Sequence, residues 1–190
     1  MYIRNAIATL KLILISHVLI SELKILENYK TINFLKAETA VNNFYVRSYR
    51  MDIRRDQRIA DIFVEVIRQL PTNLTLLVTL KLKTTGKDPQ QRSPTMFQAE
   101  FKVCDFLTKK NARLSGFLLP FLRKSIAKSQ FPKGCPIQAG NYTWIGLNLE
   151  ELKIPKFLPS SQYDVTVLTF TPKKMSKDLL CNLHLLTEVK

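Results

Sequence analysis

Most of this chain alternates between apolar and polar residues with a period of two. In "LTLLVTLKLK", Leu74, Leu76, Val78, Leu80 and Leu82 fall on one face, with Thr75, Thr79, Lys81 and Lys83 on the other. This is the pattern of an antiparallel strand with one face buried. In "RIADIFVEVI", Ala60, Ile62, Val64 and Val66 alternate with Asp61 and Glu65. In "FQAEFKV", Phe97, Ala99, Phe101 and Val103 oppose Gln98, Glu100 and Lys102. Further strands are predicted through "AVNNFYVRSYR" and at Tyr142–Leu149, Tyr163–Phe170 and Leu179–Val189. Turn residues separate them: Pro71-Thr72-Asn73, the polar stretch "TTGKDPQQRSP", Pro155 and Pro159, and "TPKKMSKD".

One segment has a different period. From Asn111 to Gln130, Leu114, Phe117, Leu118, Phe121, Leu122 and Ile126 recur at three- and four-residue spacing. The spacing predicts an amphipathic helix at about 111–130, bent at or starting near Pro120. Pro132 and Gly134 then stop it, Pro136 turns the chain back, and Gly140-Asn141 leads into the strand "YTWIGLNLE". Many short strands and one helix predict a mainly β protein: a two-sheet antiparallel sandwich with a helical flap between strands.

The three cysteines, Cys104, Cys135 and Cys181, allow three single pairings. A Cys104–Cys135 bridge, spanning 31 residues, would staple the flap to the preceding strand. The chain-entropy relation values such a bridge at about 3–4 kcal/mol. The plainer reading is three buried thiols acting as small hydrophobes. The start of the chain favours one bridge. "MYIRNAIATLKLILISHVLIS" places Arg4 and Lys11 ahead of an apolar run from Leu12 to Ile20, too short to span a bilayer but of the length of a signal-peptide core. Residues 1–21 are therefore read as a signal peptide cleaved after Ser21, leaving 22–190 as one domain. The alternative is a buried N-terminal helix or strand of a cytosolic protein. The sequons Asn73-Leu74-Thr75 and Asn141-Tyr142-Thr143 make Asn73 and Asn141 candidate glycosylation sites of an extracellular protein.

Composition is ordinary for a globular chain of 190 residues, 46% hydrophobic and 23% charged, but its charge is not: 29 Lys+Arg against 15 Asp+Glu give +14. Loss of Arg4 and Lys11 with the signal would leave 27 against 15, or +12. Arg47, Arg50, Arg54, Arg55 and Arg58 form the densest cluster, and Lys173, Lys174 and Lys177 a second. Such a surface attracts anions. Without an RNA-binding aromatic motif, zinc spacing or basic zipper, nucleic acid is not an expected partner.

Catalysis finds little support. Of the two histidines, His17 would leave with the signal, and His184 alternates with Leu183 and Leu185 in a terminal strand. The five glycines form no phosphate-binding loop. No Cys-x-x-Cys pair suggests a zinc site or thiol nucleophile. No enzyme activity, metal or cofactor is expected.

The order "FKVCDFL", "LLPFLRKS", "FPKGCPIQAGNYTW", "KIPKFLP" and "YDVTVLTF" resembles a family of insect secreted proteins of largely unknown function. Its CheB-like members are linked to chemosensation, and the family is related to the ML lipid-recognition and ganglioside-activator sandwiches. The likeness covers roughly Asn33 to Lys190, and its specific part runs from Cys104 through Cys135-Pro136 to Tyr142 and Leu158-Pro159. Relatives often carry further cysteines in the first strands; this chain has none before Cys104. The resemblance implies an ML- or immunoglobulin-like sandwich whose apolar interior receives an acyl or hydrocarbon chain. The expected lining is Phe44, Val46, Ile62, Val64, Leu76, Val78, Phe97, Phe101, Ile145 and Leu147, with Phe117 and Phe121 as a lid. The expected function is binding of a lipid or other apolar small ligand, in insect chemosensation, with an anionic membrane or cell-surface receptor as further partner. The competing reading is a secreted basic interaction module with a filled core, since alternating strands usually just pack.

Overall fold

The alternating segments assemble into two antiparallel sheets. The computed structural model describes residues 30–83, 93–108, 124–127, 129–151, 158–173 and 176–190. Its strands are β1 (Ile32–Val41), β2 (Val46–Ile53), β3 (Ile59–Val66), β4 (Thr75–Leu82), β5 (Thr95–Lys102), β6 (Gly140–Asn148), β7 (Ser161–Pro172) and β8 (Lys177–Val189). Five of them form one sheet in the order β1-β8-β7-β4-β5, and three form the other in the order β2-β3-β6. The expected two-sheet β architecture is present.

Period two places one face of each strand inside. In β8, Leu183, Leu185, Thr187 and Val189 are buried while the residues between them are partly exposed. Phe34, Leu183 and Leu185 from the large sheet pack against Met51, Ala60, Ile62, Trp144 and Leu147 from the small one. A second cluster, Val66, Leu70, Leu74, Ile137 and Leu180, fills one end of the sandwich.

Three local expectations change. "AVNNFYVRSYR" is not one strand: β1 ends at Val41, and residues 42–45 turn the chain into the other sheet. Asn42 causes the break. Its side-chain oxygen accepts the Phe44 N–H (3.0 Å), and its carbonyl accepts the N–H groups of Tyr45 and Val46. Asparagine favours such local bonds over a continuous ladder. Val103 does not extend β5 but opens a short helix, α1 (Val103–Leu107), which buries Phe106. In β6 the pairing slips, with Ile62 opposite Trp144 but Ala60 opposite Leu147. Gly146, at φ +73°, supplies the left-handed residue of this bulge.

Of the helix expected at 111–130, residues 124–127 are helical and Ile126 packs on the core. Ser129 ends that turn through bonds to the Ile126 carbonyl, and Phe131 then meets Trp144 edge-on at 5.7 Å. Pro120, Phe117 and Phe121 lie outside the described residues, as do residues 1–21, expected to be a signal peptide, Lys174, Pro155 and most of "TTGKDPQQRSP".

Candidate functional site

The inner face of the large sheet is built of rows that cross all five strands. Leu80 lies between Phe97 and Val165, Val165 opposite Leu185, and Leu185 opposite Ala37. Val78 lies between Ala99 and Val167, and Val167 opposite Leu183. Leu76 lies between Phe101 and Thr169, and Thr169 opposite Cys181. Cross-strand partners share a face, so each row runs from the packed core outward to the β5 edge.

Burial changes along the rows. Leu183 (5% exposed) and Leu185 (8%) belong to the core, and Val165 and Val167 are half-buried against it. Leu76, Val78, Leu80, Phe97, Ala99 and Phe101 are half-buried and belong to neither packed cluster of described residues. A three-stranded sheet is narrower than the five-stranded one it covers. The result is an inward-facing apolar flank on β4 and β5 that continues the core without being packed into it. At one end Phe101 leans on Phe106 of α1, with ring centres 5.8 Å apart.

The expected lining residues therefore divide. Leu76, Val78, Phe97 and Phe101 lie together on the flank. Val46, Ile62 and Leu147 are buried, and Val64 packs against both clusters. Phe44 (53% exposed) and Ile145 (56%) are on the surface. Phe44 sits in the Asn42 turn, and the Gly146 bulge turns Trp144 and Leu147 inward and Ile145 out. Leu80, Ala99, Val165 and Val167 share this inward face beyond the expected lining, and all are legible as alternation in their strands; Trp144, also inward, is not, because the bulge at Gly146 shifts the alternation of β6.

A few polar groups share the interior. Tyr49 packs against the core, and burial, reinforced by the nearby Cys181, pushes its hydroxyl well above the ordinary phenol range. Burial also raises the Cys181 thiol, partly offset by its hydrogen bond with Thr169. Both groups stay neutral at physiological pH, which makes Cys181 a poor nucleophile. Cys181 is free, whereas Cys104 and Cys135 form the expected disulfide, with Cα atoms 5.5 Å apart. This bond joins α1, immediately after the edge strand β5, to the loop that enters β6. An open recess of about 350 Å³ lies elsewhere, lined by Ser160, Ser161, Gln162, Glu188, Val189 and Lys190.

The arginine cluster is largely neutralised. Arg47 pairs with Glu65, Arg50 with Asp52, Arg54 with Asp61 and Arg58 with Glu150. The Arg54 guanidinium, aided by the Gly146 N–H, holds the Asp61 carboxyl below the usual carboxylate range. His184 stands on the outer face between Glu38 (4.0 Å) and Asp164 (3.5 Å), remote from the flank. Among the described residues, no group of three or more His, Cys, Asp or Glu is placed to hold a metal, and no helix is long and apolar enough to cross a membrane. Asn73 and Asn141 are both exposed.

None of the curated proteins compared with this chain matches it. Residues 78–165, which run from Val78 on the flank through α1, the disulfide and β6 to Val165, match the family described as protein of unknown function DUF1091.

Proposed function

We propose that this protein is a secreted, non-enzymatic binder of a lipid or other apolar small ligand, held between the sheets on the β4–β5 flank. One observation carries the reading: six apolar residues face inward there, half-buried and outside the packed clusters. Apolar surface in that position gains roughly 25 cal/mol for each Å² that a ligand removes from water. The neutral Tyr49 and Cys181 groups suit a ligand without a charge near them. The formed disulfide supports an oxidising compartment, and the sequence resemblance to CheB-like and ML proteins supports both an apolar ligand and a chemosensory setting.

The test is native mass spectrometry of the protein secreted from insect cells, followed by organic extraction. A discrete added mass that extracts as a lipid or hydrocarbon is expected. A bare mass, still bare after incubation with fatty acids and long-chain hydrocarbons, would overturn the reading in favour of a filled sandwich.

A further inference from the structure

The end of the sandwich that carries the disulfide combines exposed apolar side chains with cations. Phe44 (53% exposed) projects from the β1–β2 turn, and Leu179 (43%) from the start of β8. Asn42 ties the two together: its side-chain amide donates to the Leu179 carbonyl (3.2 Å) and its backbone N–H to that of Leu180 (2.8 Å). Arg68 is brought alongside by the bond from the Ile67 N–H to the Tyr45 carbonyl (2.9 Å), and its guanidinium lies 4.2 Å above the Phe44 ring. Lys177, two residues before Leu179, lies over Phe170 at 4.3 Å.

Among the described residues, neither Arg68 nor Lys177 pairs with a carboxylate, whereas Arg47, Arg50, Arg54 and Arg58 all do. Lys173 at this end is offset by Asp178 (3.3 Å), and Asp105 is exposed on α1. Arg68 and Lys177 thus set positive charge, without a carboxylate partner among the described residues, beside the exposed apolar groups. A purely electrostatic surface has no use for Phe44 and Leu179, and a protein partner would have to bring its own carboxylates to meet the two cations. Lipid headgroups over acyl chains satisfy both: the rings and aliphatic chains enter the interface while the cations stay with the anionic headgroups.

We propose that Phe44, Leu179, Arg68 and Lys177 form a docking tip for anionic lipid membranes. The tip goes beyond ligand binding in the interior and does not depend on it. The test is flotation of the full secreted protein with vesicles of phosphatidylcholine, with or without phosphatidylserine. The unaltered protein should float only with phosphatidylserine vesicles. Arg68→Ala with Lys177→Ala should weaken that partition roughly 30-fold at moderate salt, and Phe44→Ser with Leu179→Ser about tenfold or more. Arg47→Ala with Arg50→Ala, on the paired face, should leave it unchanged.

Failure to float with phosphatidylserine vesicles would overturn the proposal, as would equal loss in the Arg47/Arg50 control. So would retention of full binding by the serine pair. Capture by poly-glutamate but not by vesicles would assign the tip to an acidic protein instead. Thermal melting checks that each variant folds; should loss of the Lys177–Phe170 contact unfold the pair, Arg68→Glu alone carries the test. Each tip variant that loses vesicles should give the same native mass as the unaltered protein, apart from its substitutions and whether or not a ligand co-purifies, which keeps this result separate from the interior reading.

Discussion

The two sides of the large sheet carry the same alternating pattern to different ends. On β8 and β1, inward residues such as Leu185 and Phe34 meet Met51, Ile62 and Trp144 of the small sheet and are almost wholly buried. On β4 and β5, Leu80 and Phe97 continue the same row, face the same way, and are only half-buried. The edges are also joined differently. The chain itself crosses from β1 to β2 in a turn at residues 42–45, whereas the β5 side is tied to β6 by the Cys104–Cys135 disulfide. One side is a core; the other is a wall that joins neither packed cluster of described residues.

The sharpest way to break this contrast uses two leucines of one row. Leu185→Ala removes a packed side chain and should cost about 3–4 kcal/mol of unfolding free energy. Leu80→Ala, two strands away, should cost only about 1 kcal/mol, because less of its surface leaves water on folding. Urea unfolding of the ligand-free protein measures both. Equal costs would mean that the flank is core after all. Ligand capture should show the reverse order, with Leu80→Ala weakening it more than its stability cost suggests.

Next in size is the covalent tie. Cys104→Ser with Cys135→Ser should cost about 3–4 kcal/mol by the loop-closure relation, read from thermal melts. The sides should respond unequally in hydrogen exchange, with amides of β4 and β5 losing more protection than those of β1 and β8. Uniform loss would deny the disulfide any special relation to the flank.

The contrast was only half legible in the sequence. Alternation located β3, β4 and the body of β5, because a half-buried strand leaves that mark wherever it lies. It could not tell wall from core: Leu80 and Leu185 sit in equally regular alternation, and what separates them is how far the smaller sheet reaches. That depends on long-range pairings, β4 with β7 and β1 with β8, which no local window contains. The misplaced residues, Phe44 and Ile145, fail for a local reason. Asn42 bonds its own neighbours and ends β1, and the Gly146 bulge shifts the alternation by one residue, which moves a side chain to the opposite face.

Gly146 therefore offers a smaller perturbation of the packed side alone. A Cβ there would meet nothing within 4 Å, so the cost of Gly146→Ala comes from φ +73° and not from a clash. About 1 kcal/mol is expected, seen as a lower melting temperature with ligand capture intact. A larger loss, with Trp144 fluorescence shifted to the red, would show that the bulge had slipped and pulled Trp144 and Leu147 from the core.

The smallest effect belongs to Asp61, on the outer face of the small sheet beside that bulge. It accepts from Arg54 at 3.0 and 2.8 Å and from the Gly146 N–H at 2.7 Å. Its folded pKa lies below its unfolded one, chiefly through the Arg54 hydrogen bond. The resulting stabilisation is complete above the unfolded pKa and is lost as pH falls through the folded value. Asp61→Asn should thus cost about 0.5–1 kcal/mol at neutral pH, the range of an exposed ion pair. Below the folded pKa, where wild-type Asp61 is itself protonated, the two proteins should melt alike. Melting both across the acid range decides it: a gap independent of pH would mean that side-chain shape, not charge, holds the bulge. Ligand capture should not change, since the flank lies on the far side of the core from this carboxylate.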